Sequence, residues 1–155
     1  MAMAVIDANV LVGLLDDQDK WHDAALALRD ALSEAGVELV YLDCVINETI
    51  SVVSRRTSEQ GRVEQLEAVL DQLTCLIPVK DITWAGDDIR RLYPEILELV
   101  RRSAGKLNFH DALIALLCKE QGVAALVSFD RDFDGLHWLM RIDRTEQVRE
   151  IPGVE

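Results

Sequence analysis

Residues 4–11 read AVIDANVL, and residues 127–133 read VSFDRDF. In both stretches an apolar, strand-like run is followed by carboxylates, beginning with Asp7 in the first and Asp130 in the second. The carboxyl ends of the strands border the ligand crevice of an open parallel sheet, so an acid directly after a strand is well placed for chemistry. These two stretches predict a parallel sheet with a functional site at its carboxyl edge.

Strand-like and helical patterns alternate along the chain. The predicted strands are residues 3–6, 38–42, 74–78, 124–128 and 138–142. The predicted helices are residues 20–32, 43–56, 63–73, 82–102 with a break at Pro94, and a last helix from the N-cap Asn108 to Gln121, ended by Gly122. Strands separated by helices imply a parallel sheet covered on both faces. The sequence therefore predicts the α/β class, with four or five strands in the sheet.

Length and composition predict one globular domain over residues 1–155, because half of the residues are apolar and no linker divides the chain. No apolar stretch is long enough to cross a bilayer, and no secretion leader opens the sequence. The three cysteines are widely spaced, which argues against a disulfide framework and against a zinc site. We therefore expect a reduced, cytoplasmic protein with no membrane partner.

The formal net charge of −12 argues against general attraction to nucleic acid, because nonspecific binding depends on Lys and Arg displacing counterions from phosphates. Any contact with RNA would have to use local positive charge. The candidates for such contacts are Arg55, Arg56, Arg101, Arg102 and Lys106. The simpler interpretation of each, taken alone, is a solvated helix surface.

Four acids lie where apolar segments begin, end or are interrupted: Asp7, Glu48, Asp111 and Asp130. Glu48 lies on the helix predicted over residues 43–56, capped by Asp43, on a face that it shares with Val45 and Val52. An unpaired carboxylate in an apolar stripe costs several kcal/mol or has a raised pKa, unless a cation or a donor receives it. The alternative is that Glu48 only borders the stripe and reaches solvent.

The other three acids also have purely structural interpretations. Asp111 follows Asn108 by three residues, where it completes a capping arrangement and complements the helix dipole. Asp7 could cap a helix that opens near Asn9, and Asp130 could form a turn in a polar loop. Capping and metal binding are compatible roles. Capping alone does not predict that all four acids fall at strand ends or helix starts.

Convergence of these acids would require a counterion, since two unit charges about 4 Å apart repel by roughly 4 kcal/mol at an effective dielectric near 20. Oxygen ligands without Cys or His partners select Mg²⁺ or Mn²⁺ over zinc. Such an ion activates water towards a phosphodiester and stabilises the leaving oxygen, which is nuclease chemistry.

The order of these acids and the strings around them resemble the PIN-domain ribonucleases, particularly the VapC-like toxins of prokaryotic toxin–antitoxin pairs. The resemblance covers nearly the whole chain. It is carried by DANVL at residues 7–11, by Glu48, by FHDALIA at residues 109–115 and by SFDRDF at residues 128–133. Each string is weak alone, but together, in this order and length, they are fairly specific.

The resemblance implies a three-layer α/β/α fold and metal-dependent endonucleolytic cleavage of RNA that leaves a 3′-hydroxyl and a 5′-phosphate. It implies that one or two Mg²⁺ or Mn²⁺ ions are held by Asp7, Glu48, Asp111 and Asp130, with Asp132 as an additional candidate. It gives Asn9 and Ser128 supporting positions, in which they orient a ligand or a water. Family members are often homodimers inhibited by an antitoxin, so the implied partners are an RNA substrate, an antitoxin and a second copy of the chain.

Two other classes of phosphate-handling protein fit the sequence less well than a nuclease. A haloacid-dehalogenase-type phosphatase needs a second Asp two residues after the first, where Asn9 stands, and a receiver domain needs paired acids and a later Lys. A PIN-like scaffold that binds a protein without cutting RNA, and a housekeeping RNA-processing nuclease, both stay open. The histidines and tryptophans are interpreted as structural, with the tryptophans in the core or an interface: His22, His110, His137, Trp21, Trp84 and Trp138.

Overall fold

Short apolar runs form the strands of a central sheet in the computed structural model, which describes residues 1–155. The strands are β1 (Met3–Ile6), β2 (Glu38–Leu42), β3 (Ile82–Thr83), β4 (Ala125–Val127) and β5 (Met140–Ile142). All neighbouring pairs are parallel, and the strand order is β3-β2-β1-β4-β5. The two central strands, β1 and β4, are almost fully buried, as expected for a parallel sheet that is covered on both faces.

Six α-helices cover this sheet. They are α1 (Ala8–Leu15), α2 (His22–Glu34), α3 (Asp43–Glu59), α4 (Leu66–Leu76), α5 (Gly86–Arg102) and α6 (Phe109–Gln121). The first four pack against one another, and α5 packs on α6. Because the chain moves outwards from β1 to β3 and then crosses back to β4, right-handed connections put the two groups on opposite faces. The predicted α/β class and the five-stranded parallel sheet are confirmed. No helix is both long and apolar enough to span a membrane.

The strand predicted at residues 74–78 is wrong, because α4 continues to Leu76. Leu73 and Ile77, four residues apart, are only 5% and 3% exposed, so core packing keeps this segment helical where residue type alone favours a strand. The third strand is instead the two-residue β3, inside the range predicted as a helix over residues 82–102.

The predicted break at Pro94 is also wrong, because α5 runs unbroken through it. Pro94 removes the donor for the carbonyl of Arg90, but both residues are exposed, so water can bind that carbonyl. On the opposite side, Leu92 and Ile96 are completely buried. Their packing holds the helix together across the proline.

The buried face of α3 differs from the predicted one. It is centred on Val45, Thr49 and Val53, and the Thr49 hydroxyl is satisfied in the core by donating to the Val45 carbonyl at 2.8 Å. Glu48 is half-buried and borders this face rather than interrupting it. The helix begins at Asp43 instead of being capped by it, although the Asp43 carboxylate accepts a hydrogen bond from the next backbone N–H.

Candidate active site

The point where the chain order reverses in the sheet lies between β1 and β4, and two polar residues follow directly. Ile6 is paired with Val127 in the parallel register, and Asp7 donates its backbone N–H to the Val127 carbonyl at 2.9 Å. Asp7 and Ser128 therefore stand side by side at the carboxyl ends of the two central strands. Ligands of open α/β sheets bind in the crevice at such a reversal point.

Asp7 is the centre of a hydrogen-bond network. Its Oδ2 accepts from the Ser128 hydroxyl at 2.6 Å and from the Asn9 side-chain amide at 3.1 Å, while its Oδ1 accepts from the Ala8 N–H at 2.7 Å. The last bond makes Asp7 the N-cap of α1. The Asn9 amide also donates to the Ser128 hydroxyl at 3.2 Å, so both supporting residues fix the orientation of the Asp7 carboxylate.

The same network fixes the loop after β4. The side-chain oxygen of Asn9 accepts from the Phe129 N–H, and the Ser128 hydroxyl accepts from the Asp130 N–H, both at 3.1 Å. Asp130 then accepts from the Asp132 N–H at 2.9 Å, which is the predicted turn. Arg141 is mostly buried and forms ion pairs with Asp134 and Asp143. It also donates to the Ser128 carbonyl at 3.2 Å, which stabilises this loop.

Asp111 lies at the start of α6, where it forms a capping box with Asn108. The Asn108 side chain accepts from the Asp111 N–H at 2.9 Å, and the Asp111 carboxylate accepts from the Asn108 N–H at 2.9 Å. The capping interpretation is therefore confirmed, and Gly122 ends the helix with a left-handed φ of 68°. Capping occupies one carboxylate oxygen, and no hydrogen bond in the protein occupies the other.

The candidate acids affect one another electrostatically. The pKa of Asp7 is raised to about 7, mainly by burial and to a smaller extent by the charges of Glu48 and Asp111, against the hydrogen bonds from Ser128 and Ala8. Burial also raises the pKa of Asp111, and the charges of Asp130, Glu48 and Asp132 add to this effect. The fold therefore brings the predicted acids from four separate elements into one region of negative potential.

The chemistry of these acids suits a hard divalent cation, but their side chains are not arranged as a ready binding site. The available donors are carboxylate oxygens, which Mg²⁺ and Mn²⁺ prefer, and repulsion among the acids would be relieved by a bound cation. No three His, Cys, Asp or Glu side chains are already arranged as a metal-binding cluster. Binding would therefore require small side-chain rotations or bridging waters.

The predicted basic residues lie on two sides of the acids. Arg55 is exposed and lines a cleft of about 220 Å³ together with Asn9, Glu48 and Trp21, which we call the Arg55 cleft. Arg56 lines the same cleft, but its guanidinium is bound to Asp19 at 2.5 Å and lies 3.5 Å from Asp16. Arg55 is therefore free for a ligand, whereas Arg56 mainly anchors the loop between α1 and α2.

The second group of basic residues lines a separate groove of about 840 Å³, which shares no residue with the Arg55 cleft. Arg102, Lys106 and Arg131 face this groove together with Asp132. Arg101 does not line it, and it binds Glu98 at 2.6 Å, as Arg102 does at 2.8 Å. Arg131 was missed in the sequence because it is a single basic residue among acids, although its place in the 127–133 string was a usable signal.

Two tryptophans lie outside the core, so of the two predicted positions, core or interface, only an interface stays open for them. Trp84 is 66% exposed and Trp21 is 37% exposed. Trp21 lines the Arg55 cleft, and its ring is stacked on Phe129 with centroids 4.5 Å apart and planes 10° apart. His22 has the structural contact expected of it, a hydrogen bond of 2.7 Å from Nδ1 to the Gly13 carbonyl.

Comparison with known proteins identifies the fold. A family model described as the PIN domain matches residues 4–139. The crystal structure of Mycobacterium tuberculosis VapC20, a Sarcin–Ricin-loop-cleaving toxin, is similar with a TM-score of 0.64 and 20% sequence identity, over 88% of this chain and 95% of that chain. The comparison with curated proteins gave no match. At this level of identity the structural likeness supports the fold alone.

Proposed function

Because the chain belongs to the PIN-domain family, we propose that it is a metal-dependent endoribonuclease acting as the toxin of a toxin–antitoxin pair. The observation that carries the proposal is the buried Asp7 carboxylate, surrounded by further acids at the reversal point of the sheet. Burial of such a carboxylate is unfavourable unless a cation or hydrogen-bond donors receive it, and the further acids around it favour a cation in addition to the donors.

In this proposal Asp7, Glu48, Asp111 and Asp130 hold Mg²⁺ or Mn²⁺, and Asp132 contributes from the loop. A bound metal ion would supply hydroxide near neutral pH as the nucleophile for a phosphodiester and would stabilise the charge on the phosphate. Ser128 and Asn9 keep the Asp7 carboxylate oriented through their hydrogen bonds to its Oδ2. Arg55 on one side and Lys106 and Arg131 on the other hold the RNA backbone against the negative charge of the protein.

The toxin hypothesis includes further proposals about the domain organisation, the location and the partners of the protein. We expect a single domain over the whole chain, a cytoplasmic location, a homodimer and an antitoxin that covers the acidic centre. VapC20 is itself a toxin that cleaves the Sarcin–Ricin loop, which makes an RNA substrate a reasonable starting point. A housekeeping nuclease would share the chemistry but lack the antitoxin, and a protein-binding scaffold would lack metal-dependent cleavage.

Calorimetric titration of Mn²⁺ tests the metal site without knowledge of the RNA. Wild-type protein is expected to bind Mn²⁺ saturably, and Asp7→Asn is expected to abolish that binding because it removes the central charge. Asp71→Asn is a matched control, since Asp71 is an exposed acid on α4 outside the site. Cleavage of single-stranded RNA in Mg²⁺, stopped by EDTA and leaving 5′-phosphates, is then expected of the wild type.

Two results would contradict the proposal. One is the absence of Mn²⁺ binding by the wild type. The other is binding that Asp7→Asn and Asp71→Asn weaken equally, since general attraction to an acidic protein would then explain it. Metal binding without cleavage of any RNA would instead favour the scaffold hypothesis.

Charge reversal at Arg55 is expected to weaken RNA binding several-fold while it preserves Mn²⁺ affinity, because this guanidinium has no acidic partner in the protein. Arg90→Glu changes the net charge equally, but its position on α5 is outside both clefts. Fluorescence anisotropy of a labelled RNA at two salt concentrations measures the effect, and the Arg55 variant should also show a shallower salt dependence. Equal losses in the two variants would remove Arg55 from the site.

A further inference from the structure

Trp21 is held in a fixed position beside the acidic centre. Its backbone N–H donates to the Asp19 carboxylate at 2.8 Å, and Asp19 is in turn bound by Arg56. Its carbonyl accepts from the Ala25 N–H at 2.8 Å, which ties it to the first turn of α2. The residue is nevertheless 37% exposed, so part of the indole stays open to solvent.

The stack between Trp21 and Phe129 connects this surface to the Asp7 network. Phe129 directly follows Ser128, and its backbone N–H is bound by Asn9, which also binds Asp7. The two rings are almost parallel, with planes 10° apart and centroids 4.5 Å apart. The indole is therefore positioned relative to Asp7 through a short chain of direct contacts.

The charges around Trp21 fit a nucleic-acid strand. The Lys20 ammonium lies over the indole ring, 5.1 Å from its centre, so a base that stacks there takes the place of this exposed side chain. Lys20 and Arg55 both line the cleft that Trp21 shares with Glu48. An exposed aromatic face beside cations is the arrangement by which proteins hold single strands, with the base on the ring and phosphate on the cations. Duplex RNA does not present its bases in this way.

We propose that Trp21 is a positioning residue of this site, which stacks on an unpaired nucleobase next to the phosphate that is cleaved. The proposal rests on the nuclease function proposed above. Trp21 would extend the existing ring stack by one base, and Lys20 and Arg55 would bind the flanking phosphates. This assigns Trp21 a positioning role in substrate binding, with no discrimination against any one base required by stacking itself.

The test measures the binding of a fluorescein-labelled, single-stranded RNA of random sequence, about 12 nucleotides long. Binding is measured in Ca²⁺, and gels verify that the probe stays intact. Trp21→Ala is expected to raise the Kd by about 5- to 150-fold, the range that corresponds to loss of one stacked base. Trp21→Phe, which keeps a ring, is expected to retain most of the affinity. Trp84→Ala removes another exposed indole, outside the Arg55 cleft, and is expected to have no effect.

An abasic probe of the same length separates stacking from a structural effect. Trp21→Ala is expected to leave the binding of the abasic probe unchanged. A second measurement uses the Trp84→Phe/Trp138→Phe protein, in which Trp21 is the sole tryptophan. Its fluorescence should be quenched by RNA but not by the abasic strand. Equal losses for both probes, or no loss for either while Arg55→Glu still weakens binding, would overturn this inference alone. If the wild type bound no RNA, the proposed function would fail with it.

Discussion

Metal-free Asp7→Asn is expected to be more stable than the wild type by about 2 kcal/mol at pH 8, although the substitution removes an acid from the proposed catalytic centre. Burial raises the pKa of Asp7 from 3.8 to about 7. A shift of this size corresponds to about 4 kcal/mol of unfavourable charge burial when the carboxylate is ionised. We halve this figure because asparagine cannot accept from Ala8, Ser128 and Asn9 at once.

The gain in stability has a defined pH dependence. Between pH 3.8 and about 7 the folded protein holds a proton on Asp7 that the unfolded chain releases, so this residue lowers the free energy of unfolding as the pH rises. Below pH 3.8 both states hold the proton and the effect is absent. The advantage of Asp7→Asn should therefore grow between pH 5 and pH 8.

Urea unfolding in EDTA at pH 5 and pH 8 measures this effect, with Asp71→Asn as the exposed control. Added Mn²⁺ should make the wild type more stable than Asp7→Asn at pH 8, because only the wild type is expected to bind the ion. A destabilised Asp7→Asn at pH 8 in EDTA would mean that the hydrogen bonds of the Asp7 carboxylate stabilise the fold by more than the burial of its charge costs.

The sequence predicted the α/β fold and the family because both depend on local signals. Buried strands are continuous apolar runs, and the residues that follow them lie at the sheet edge whatever the packing. The Asp7 and Asp130 strings needed no knowledge of tertiary contacts. The resemblance to PIN domains is confirmed by the match over residues 4–139.

The errors lie where packing overrides local preference. Residues 74–78 have strand-forming types, but burial of Leu73 and Ile77 on one helical side keeps residues 74–76 in α4. Pro94 is tolerated because its helix is held by buried residues on the opposite face. Trp21 could not be placed from the sequence, since its position beside Asp7 depends on Phe129, more than one hundred residues away.

Asp111 allows capping and metal binding to be separated, because asparagine at this position keeps a side-chain oxygen for the Asn108 N–H but loses the charge. Asp111→Asn is expected to change the free energy of unfolding by less than about 1 kcal/mol. Its Mn²⁺ binding should be lost, and RNA cleavage should fall by on the order of 10³-fold, as when a preorganised electrostatic group is removed from a catalytic site. Melting curves, calorimetry and initial cleavage rates measure the three quantities.

Asn108→Ala is the reciprocal variant, since it removes the cap and leaves the Asp111 carboxylate in place. It should lower the free energy of unfolding by about 1 kcal/mol. Mn²⁺ binding and cleavage should stay within a few-fold of the wild type, because the Asn108 backbone N–H still donates to the Asp111 carboxylate. If Asp111→Asn instead lost stability and kept both metal binding and cleavage, Asp111 would be a capping residue only, and Asp7, Glu48 and Asp130 would have to hold the metal without it.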